Sequence, residues 1–502
     1  MRARALVWLL PLLMAAGVLL PVRPAAARVW WDFPRTIAES TEAEQLFGLR
    51  VVRWRGRFYL FMLARGSRRA SIRYYRSEDL GSFQGPATAV ADIPVEPGFY
   101  PGYDVLARDR GLVLAWNTPD GSLHLAGSGD GETWELRREA IRTGEFSFDP
   151  RLFDAGGRIL LFYHTESEGR RIDFFYTGLR RLDGSWSEPR RVAAGFAGSF
   201  FPSLLEDHQR LWIAWQSRPL SGAEAPMFHV YLSSAPGPEG PWSHPVNLTG
   251  PEQEQGAGGG EGSLRGEDMR PVLVRRPAGM ALFWESNRDG AWGVYYRELD
   301  GRGKPLAPAT KVNSVPANAR NPRPLELDGR LHVFFTDERD GTPRLYHARK
   351  EGDGFRELGP VPGGEHLIEL QPLAAGGELY AAWLGGGAVG ISGPDRAVRS
   401  PEVRSTGHGY IGTRGITLSW KEPEDLSGIA GYGYLFTRSP DDRPLLLNLE
   451  PDQTSVRLEP DREGAWYFHL VARDRAGNES ETVTVPFTVD LTPPPAPVID
   501  PV

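Results

Sequence analysis

The chain has no cysteine in its 502 residues. That excludes disulfides, thiolate metal sites, cysteine nucleophiles and a lipid-bearing N-terminal cysteine. Lysine is scarce as well: Lys304, Lys311, Lys350 and Lys421 are the only ones, so arginine carries nearly all the positive charge. Such a skew reads as genomic, and it makes any single arginine weak evidence for a site. Positive charge is not in surplus either. A formal net charge of -7 gives no case for nucleic acid or an anionic membrane as partner. Helical periodicity is missing beyond the first 27 residues, which excludes helical solenoids. No phosphate loop, dinucleotide fingerprint, nucleophile elbow or metalloprotease motif occurs. His164, His208, His229 and His332 do not recur at metal-ligand spacing and read as polar strand residues. No cofactor and no metal is expected.

What is present begins with an export signal. Arg2 and Arg4 precede an apolar run from Ala5 to Leu20, and Ala25, Ala26 and Ala27 follow. That is a positive n-region, a hydrophobic h-region and a small-residue cleavage site, giving a signal peptide over residues 1–27. The run is interrupted by Pro11 and is shorter than the roughly 20 residues a spanning helix needs; an uncleaved anchor is the other reading. No second stretch of that kind follows, so no membrane insertion is expected after cleavage. Periplasm, cell surface and extracellular space all stay open.

A repeat defines the fold expected for the rest. Pro150 precedes Tyr163 by thirteen residues, and Pro202–Trp215, Pro271–Trp284 and Pro322–Phe335 keep the same interval. With Phe61, Trp116 and Trp383 these aromatics mark seven units, most of them about 50 residues apart. The wider gap between Trp215 and Trp284 holds the glycine-rich stretch from Gly250 to Gly266, which reads as a loop. Within a unit, short runs alternate β-branched or aromatic with polar residues, and Gly156-Gly157 and Asp183-Gly184 supply hairpin turns. Four strands at this period make the blade of a β-propeller. The expectation is all-β: a seven-bladed propeller over residues 28–403, with six or eight blades as the alternative count. The outer strands of several units open aromatic-x-x-proline: Phe83 to Pro86, Trp186 to Pro189, Trp242 to Pro245. Trp31 to Pro34 carries the same pattern before any inner strand, whereas Glu369–Val403 has none. Residues 29–40 are therefore expected to supply the outer edge of the last blade and close the ring.

Ser128-Gly-Asp-Gly-Glu-Thr-Trp134 resembles the Asp-box of the sialidase and BNR-repeat superfamily, one residue short. Ser77-Glu-Asp-Leu-Gly-Ser-Phe83 is a more degenerate copy. The run from Ser234 to Trp242 is similar to outer hairpins of five-bladed glycosidase propellers. The resemblance covers residues 40 to 400 at the level of the fold. It implies that the Asp-box is a structural turn away from the catalytic face, with Asp130 capping its own hairpin. The family's chemistry is not visible: its first arginine lies in an aromatic-Arg-Ile-Pro motif, and the nearest segment here, Asp32-Phe-Pro-Arg35, has the wrong order.

Inner strands of a propeller line a channel, so residues beside the repeated prolines are the geometric candidates for a site. These are Asp149, Phe201, Arg270 and Asn321, with Asp104 at a similar point and Arg323 nearby. Two readings stand side by side. The group can form a ligand-binding pocket, arginine taking a carboxylate in bidentate fashion and Asp104 with Asp149 acting as an acid/base pair. Equally, Asp or Asn before proline can simply start a strand, and Arg151, Arg270 and Arg323 can pair with rim acids. Ser286-Asn-Arg-Asp-Gly290 and Thr336-Asp-Glu-Arg-Asp-Gly341 read as charged turns.

After Arg404 the repeat stops. Ile416-Thr-Leu-Ser-Trp420, the run from Glu422 to Tyr432, Trp466 to Asp474 and Ala476-Gly-Asn-Glu-Ser480 resemble a bacterial fibronectin type III domain over residues 404–490. The resemblance implies an Ig-like β-sandwich with a buried early tryptophan. The family's usual late-strand tyrosine is Trp466 here. Residues 491–502 form a proline-rich tail. The function expected from all this is an exported, non-catalytic binding or scaffolding protein that recognises a glycan or an extracytoplasmic protein through the propeller face. The alternative is a glycoside hydrolase or lyase acting on carboxylated sugars.

Overall fold

The computed structural model describes residues 29–492 apart from 100, 137–140, 142–145, 168–170, 180–185, 195, 208–209, 221–226, 251–265, 278, 406–408 and 413–414. The expected signal peptide, His208, the expected Asp183-Gly184 turn and nearly all of the glycine-rich stretch and of the proline-rich tail lie outside the described residues. Among those described, every regular element is a β-strand and no helix occurs. It follows that no helix is long and apolar enough to cross a membrane.

Strands come in four-stranded antiparallel meanders that follow chain order. The first is Gln45–Trp54, Arg57–Arg65, Arg69–Ser77 and Gln84–Pro94; the second is Tyr103–Arg108, Gly111–Asn117, Leu123–Ser128 and Glu135–Leu136. Two further meanders, Phe146 to Arg191 and Phe196 to Asn247, are joined into one eight-stranded sheet by a single parallel pair, Ile172 with Gly198. Asp268 to Lys311 and Arg320 to Pro360 make the next two. The last sheet is completed from the other end of the chain: Arg35–Glu39 pairs antiparallel with Ala388–Ser392, beside Glu378–Gly385 and Leu367–Ala375. Trp31 bridges Pro394, and the Asp32 amide donates to the Gly393 carbonyl at 3.0 Å. Residues 31–39 run along the outer edge of the last sheet.

The second strands show why the sheets stack into a ring. Arg57–Arg65 is buried along nearly its whole length because both of its faces are covered. Tyr59, Phe61 and Leu63 point into a cluster shared with the second sheet, and Phe58, Leu60 and Met62 into one shared with the last. The same two-residue alternation divides Leu211, Ile213 and Trp215 from Trp212 and Ala214 between the neighbours on either side. Each successive pair of meanders shares one such core, and the final core joins the last sheet to the first. This is the architecture of a β-propeller. Trp31 seals the seam, edge-on to Phe334 at 6.1 Å.

Aspartates cap the turns after the third strands of the first two sheets. Asp130 Oδ1 accepts from the amides of Glu132 at 2.8 Å and Thr133 at 2.7 Å, and these backbone bonds hold its carboxyl below the usual carboxylate range. Asp79 makes the same bonds to Gly81 and Ser82. Both aspartates are hairpin caps, at the opposite end of the sheets from the starts of the first strands.

Beyond the ring, strands Glu402–Ser405, Ile416–Lys421 and Ser455–Leu458 form one sheet. Tyr410–Ile411, Val483–Val489, Gly464–Asp474 and Ile429–Thr437 form a second. One core lies between them, built on Trp420, Tyr432, Phe468 and Leu470. Trp466 Nε1 donates to the Arg462 carbonyl at 3.0 Å.

Candidate functional site

Each repeated proline, Pro150, Pro202, Pro271 and Pro322, marks a β-bulge inside the first strand of its sheet rather than the strand's beginning. Asp149, Phe201, Arg270 and Asn321 all sit at positive φ, between 48° and 56°, and Gly48 at 68° takes the same place in the first sheet. The ladder slips at each of them: between Phe148 and Arg151, Phe200 and Ser203, Met269 and Val272, Arg320 and Arg323, and Phe47 and Arg50. Proline cannot donate to a ladder, so the strand bulges there and re-aims the preceding side chain. A non-glycine residue in this conformation costs on the order of 1–3 kcal/mol, a strain that collects at functional sites. The simpler expectation that such residues only start strands is therefore incomplete. Asp104 differs: the second sheet runs through it in register, opposite Ala115.

At this end of the ring the starts of the first strands meet the ends of the second strands. Arg50 is central. Its Nε lies 3.2 Å from Asp104 Oδ1 and its Nη1 3.4 Å from Glu369 Oε2. Burial opposes the charge on Arg50, but the carboxylates of Asp104 and Glu369 outweigh it and raise its pKa. Asp104 is fully occupied, since its Oδ2 also accepts from the Leu152 amide of the next sheet at 2.9 Å. Glu369 likewise takes the Gly48 amide at 2.8 Å. Both carboxylates stitch neighbouring sheets together.

Asp149 pairs with Arg151 at 3.0 Å and lies 3.8 Å from His164 Nδ1. Burial opposes its ionisation, yet Arg151, His164 and Arg50 together hold its pKa below the usual range. Burial brings His164 down to about 4, against the pull of Asp149, so the imidazole is neutral near pH 7. Its ring stacks between Phe148 at 5.4 Å and Phe200 at 5.9 Å.

Arg270 and Asn321 meet directly, Nη1 of the arginine donating to the amide oxygen. The Arg270 guanidinium also lies 5.0 Å from the centroid of the exposed Phe201 ring. Behind them the fully buried Glu285 receives Arg320 at 2.8 Å and the Asn321 amide at 3.0 Å, with Arg270 Nε 3.6 Å away. Arg323 is different again. Its hydrogen bonds go to carbonyls, those of Leu370 and Pro322, both at 3.4 Å. Burial and the like charges of Arg50, Arg151 and Arg270 press its pKa down to about 10, against Glu369. It is a guanidinium among guanidiniums, held by carbonyl oxygens.

The structure thus brings Phe201, Arg270 and Asn321 into contact. Asp104, Asp149 and Arg323 share the electrostatic environment of Arg50. Sequence reasoning passed over Arg50, Glu369 and Glu285 and read His164 as an ordinary strand residue. Arg50 did carry a signal: Gly48-Leu49-Arg50 has the phase of Asp149-Pro150-Arg151 and Asn321-Pro322-Arg323, with leucine in place of proline. Elsewhere, His229 binds Asp268 at 3.2 Å and His332 binds His347 at 2.8 Å. Both charged turns close as expected, Gly290 on Asn287 and Gly341 on Glu338. Among the described residues one carboxylate triad gathers within 4.8 Å, that of Asp395, Asp425 and Asp474. The Asn478 side-chain amide bridges Asp395 and Asp474, and turn amides occupy Asp425 and Asp474.

No family model matches this chain, and no curated protein matches it. Solved structures resemble it loosely. A polysaccharide lyase, Uly1, is 11% identical over 73% of this chain and 97% of its own, with a TM-score of 0.45. An α-L-arabinanase from Penicillium chrysogenum, complexed with arabinobiose, is 14% identical over 73% and 98%, with a TM-score of 0.42. A protein of unknown function from Dyadobacter fermentans is 12% identical over 72% and 99%, also at 0.42. Likenesses this loose assign no activity.

Proposed function

We propose that this chain is an exported glycan-recognising protein: a seven-bladed β-propeller over residues 28–403 and a fibronectin III-like sandwich over residues 404–490. The propeller binds a carboxylated sugar at the mouth built by Arg50, Arg151, Arg270, Asn321 and Arg323, and the sandwich acts as a spacer. One observation carries the reading. Arg323 stands in the mouth among three other guanidiniums and is held by carbonyl oxygens, whereas each of the others has a carboxylate within 3.6 Å. A guanidinium so placed has its charge available for a ligand carboxylate, which it takes bidentately. The signal peptide and the absence of surplus positive charge on the whole chain support export and a glycan rather than a nucleic acid.

The second reading is a glycoside hydrolase or lyase working on the same sugars, with the neutral His164 beside Asp149 as the pair that favours it. Against turnover, Asp104 has both oxygens engaged and Asp149 is held ionised. Screening the mature chain on a glycan array, then assaying uronides and sialosides for turnover, tests both. Retention of carboxylated glycans without product supports binding; product release supports the second reading; retention of neutral glycans alone refutes both.

A further inference from the structure

A row of aromatic side chains leads away from the arginine cluster on either side of His164, which itself meets Asp149. Phe99, ahead of the second sheet, lies 6.4 Å from Phe146, and Phe146 lies 6.2 Å from Phe148. The row continues through His164 to Phe200, and Phe200 lies 6.0 Å from Phe228. Six rings therefore run across the second, third and fourth sheets, consecutive centroids 5.4 to 6.4 Å apart. All lie at the end of the sheets that carries the bulges. Phe146 is 36% exposed, and Phe201, next to Phe200 in sequence, is 42% exposed. The row meets cations at two places: Arg218 lies 3.9 Å from the Phe228 centroid, and Arg270 covers Phe201.

We infer that this row is the track of an extended acidic polysaccharide, whose sugar faces stack on Phe99, Phe146, Phe148 and Phe201 while a carboxylate is held at Arg323. The inference rests on the reading of the mouth as a carboxylate-binding site and adds chain length to it. Its basis is continuity and charge. Exposed apolar rings grouped on one face mark a binding surface; Phe146 and Phe201 are exposed here, and between them the buried His164 meets Asp149 of the cationic mouth. A protein-binding core would be a contiguous apolar patch depleted of charge. Here Arg218 lies over Phe228 at the end of the row, and Arg270, bonded to Asn321, lies over Phe201, which suits a ligand with both apolar ring faces and polar edges.

The test is calorimetric titration of the mature full chain with oligogalacturonides and oligoglucuronides of one to six units, cellohexaose serving as the neutral control. Affinity is expected to rise about tenfold or more from the single sugar to the hexamer, the scale of one or two stacked rings. The double variant Phe99→Ala, Phe146→Ala should flatten that rise, with its melting temperature checked separately. Equal affinity for one unit and six in the unaltered chain overturns the track while leaving the carboxylate site standing. Cellohexaose binding as tightly as the acidic hexamers overturns the acidic assignment. Failure of every acidic sugar, at all lengths, overturns the proposed function itself and the track with it. A retained protein partner that the Phe146 variant loses, with no sugar bound, places the row in a protein interface instead.

Discussion

Arg50 shows how a buried charge can be a joint. It is tied to Asp104 of the second sheet and Glu369 of the last, and all three are mostly buried. Removing one partner from such a cluster leaves the others uncompensated. Arg50→Ala is therefore expected to destabilise the protein by about 2 kcal/mol, the figure being held down by residual exposure; urea denaturation followed by tryptophan fluorescence reads it. The bulge residues were legible only in part. Proline spacing located Asp149, Phe201, Arg270 and Asn321, because proline's missing donor leaves a periodic trace. The left-handed backbone at each of them has no signature in an Asp, Phe, Arg or Asn, so the bulge stayed hidden. Glu285 stayed hidden too, since nothing local in sequence says which distant arginines a buried carboxylate will receive.

Among the elements, the closing strand is the most exposed to test. Gly390 opposes Thr36 across it, and a Cβ there would meet Trp383 at 2.3 Å and the Arg35 carbonyl at 2.7 Å. Gly390→Ala must push the strand off its partner. Gly129, whose added Cβ meets nothing within 4 Å, is the control. Differential scanning calorimetry is expected to show a lower melting temperature for Gly390→Ala and little change for Gly129→Ala. Trp31→Ala, which empties the seam, should cost about 3 kcal/mol. The strand was readable in advance because its aromatic-x-x-proline signature repeats that of other outer strands and comes before any inner strand. Inner and middle strands were readable through their two-residue alternation. The pairing that fuses the third and fourth meanders, one bridge between Ile172 and Gly198, was not, since a single parallel contact leaves no pattern.

At the scale of the molecule, buried titrating groups set the pH response, a histidine pair among them. His332 and His347 touch each other inside the sheet next to the seam, and His347 lies edge-on to Trp31 at 6.0 Å. Burial, with Arg349 nearby, pulls His332 to about 4; burial and His332 pull His347 to about 3. Both native values lie below the ordinary 6.5, so the unfolded chain takes up protons first as pH falls. Their contribution is whole above pH 6.5 and is lost from there down through about pH 3. Melting temperature should fall across that window, and less so in His347→Phe. Asp395 works the other way. Burial, with Asp425 and Asp474, lifts it to about 6, so its ionisation costs stability as pH rises through that value. Asp395→Asn should raise the melting temperature at pH 8 and have little effect at pH 4.5.

The most direct test of the carboxylate site is titration of Arg323→Ala, beside the unaltered chain, with whichever carboxylated glycan the array retains. The proposed site predicts at least a tenfold loss of affinity, the scale of a charge-assisted bidentate contact of about 1.5–3 kcal/mol, and a weaker dependence of binding on salt. Unchanged affinity in that variant, with the fold intact, would place the ligand elsewhere and contradict the account.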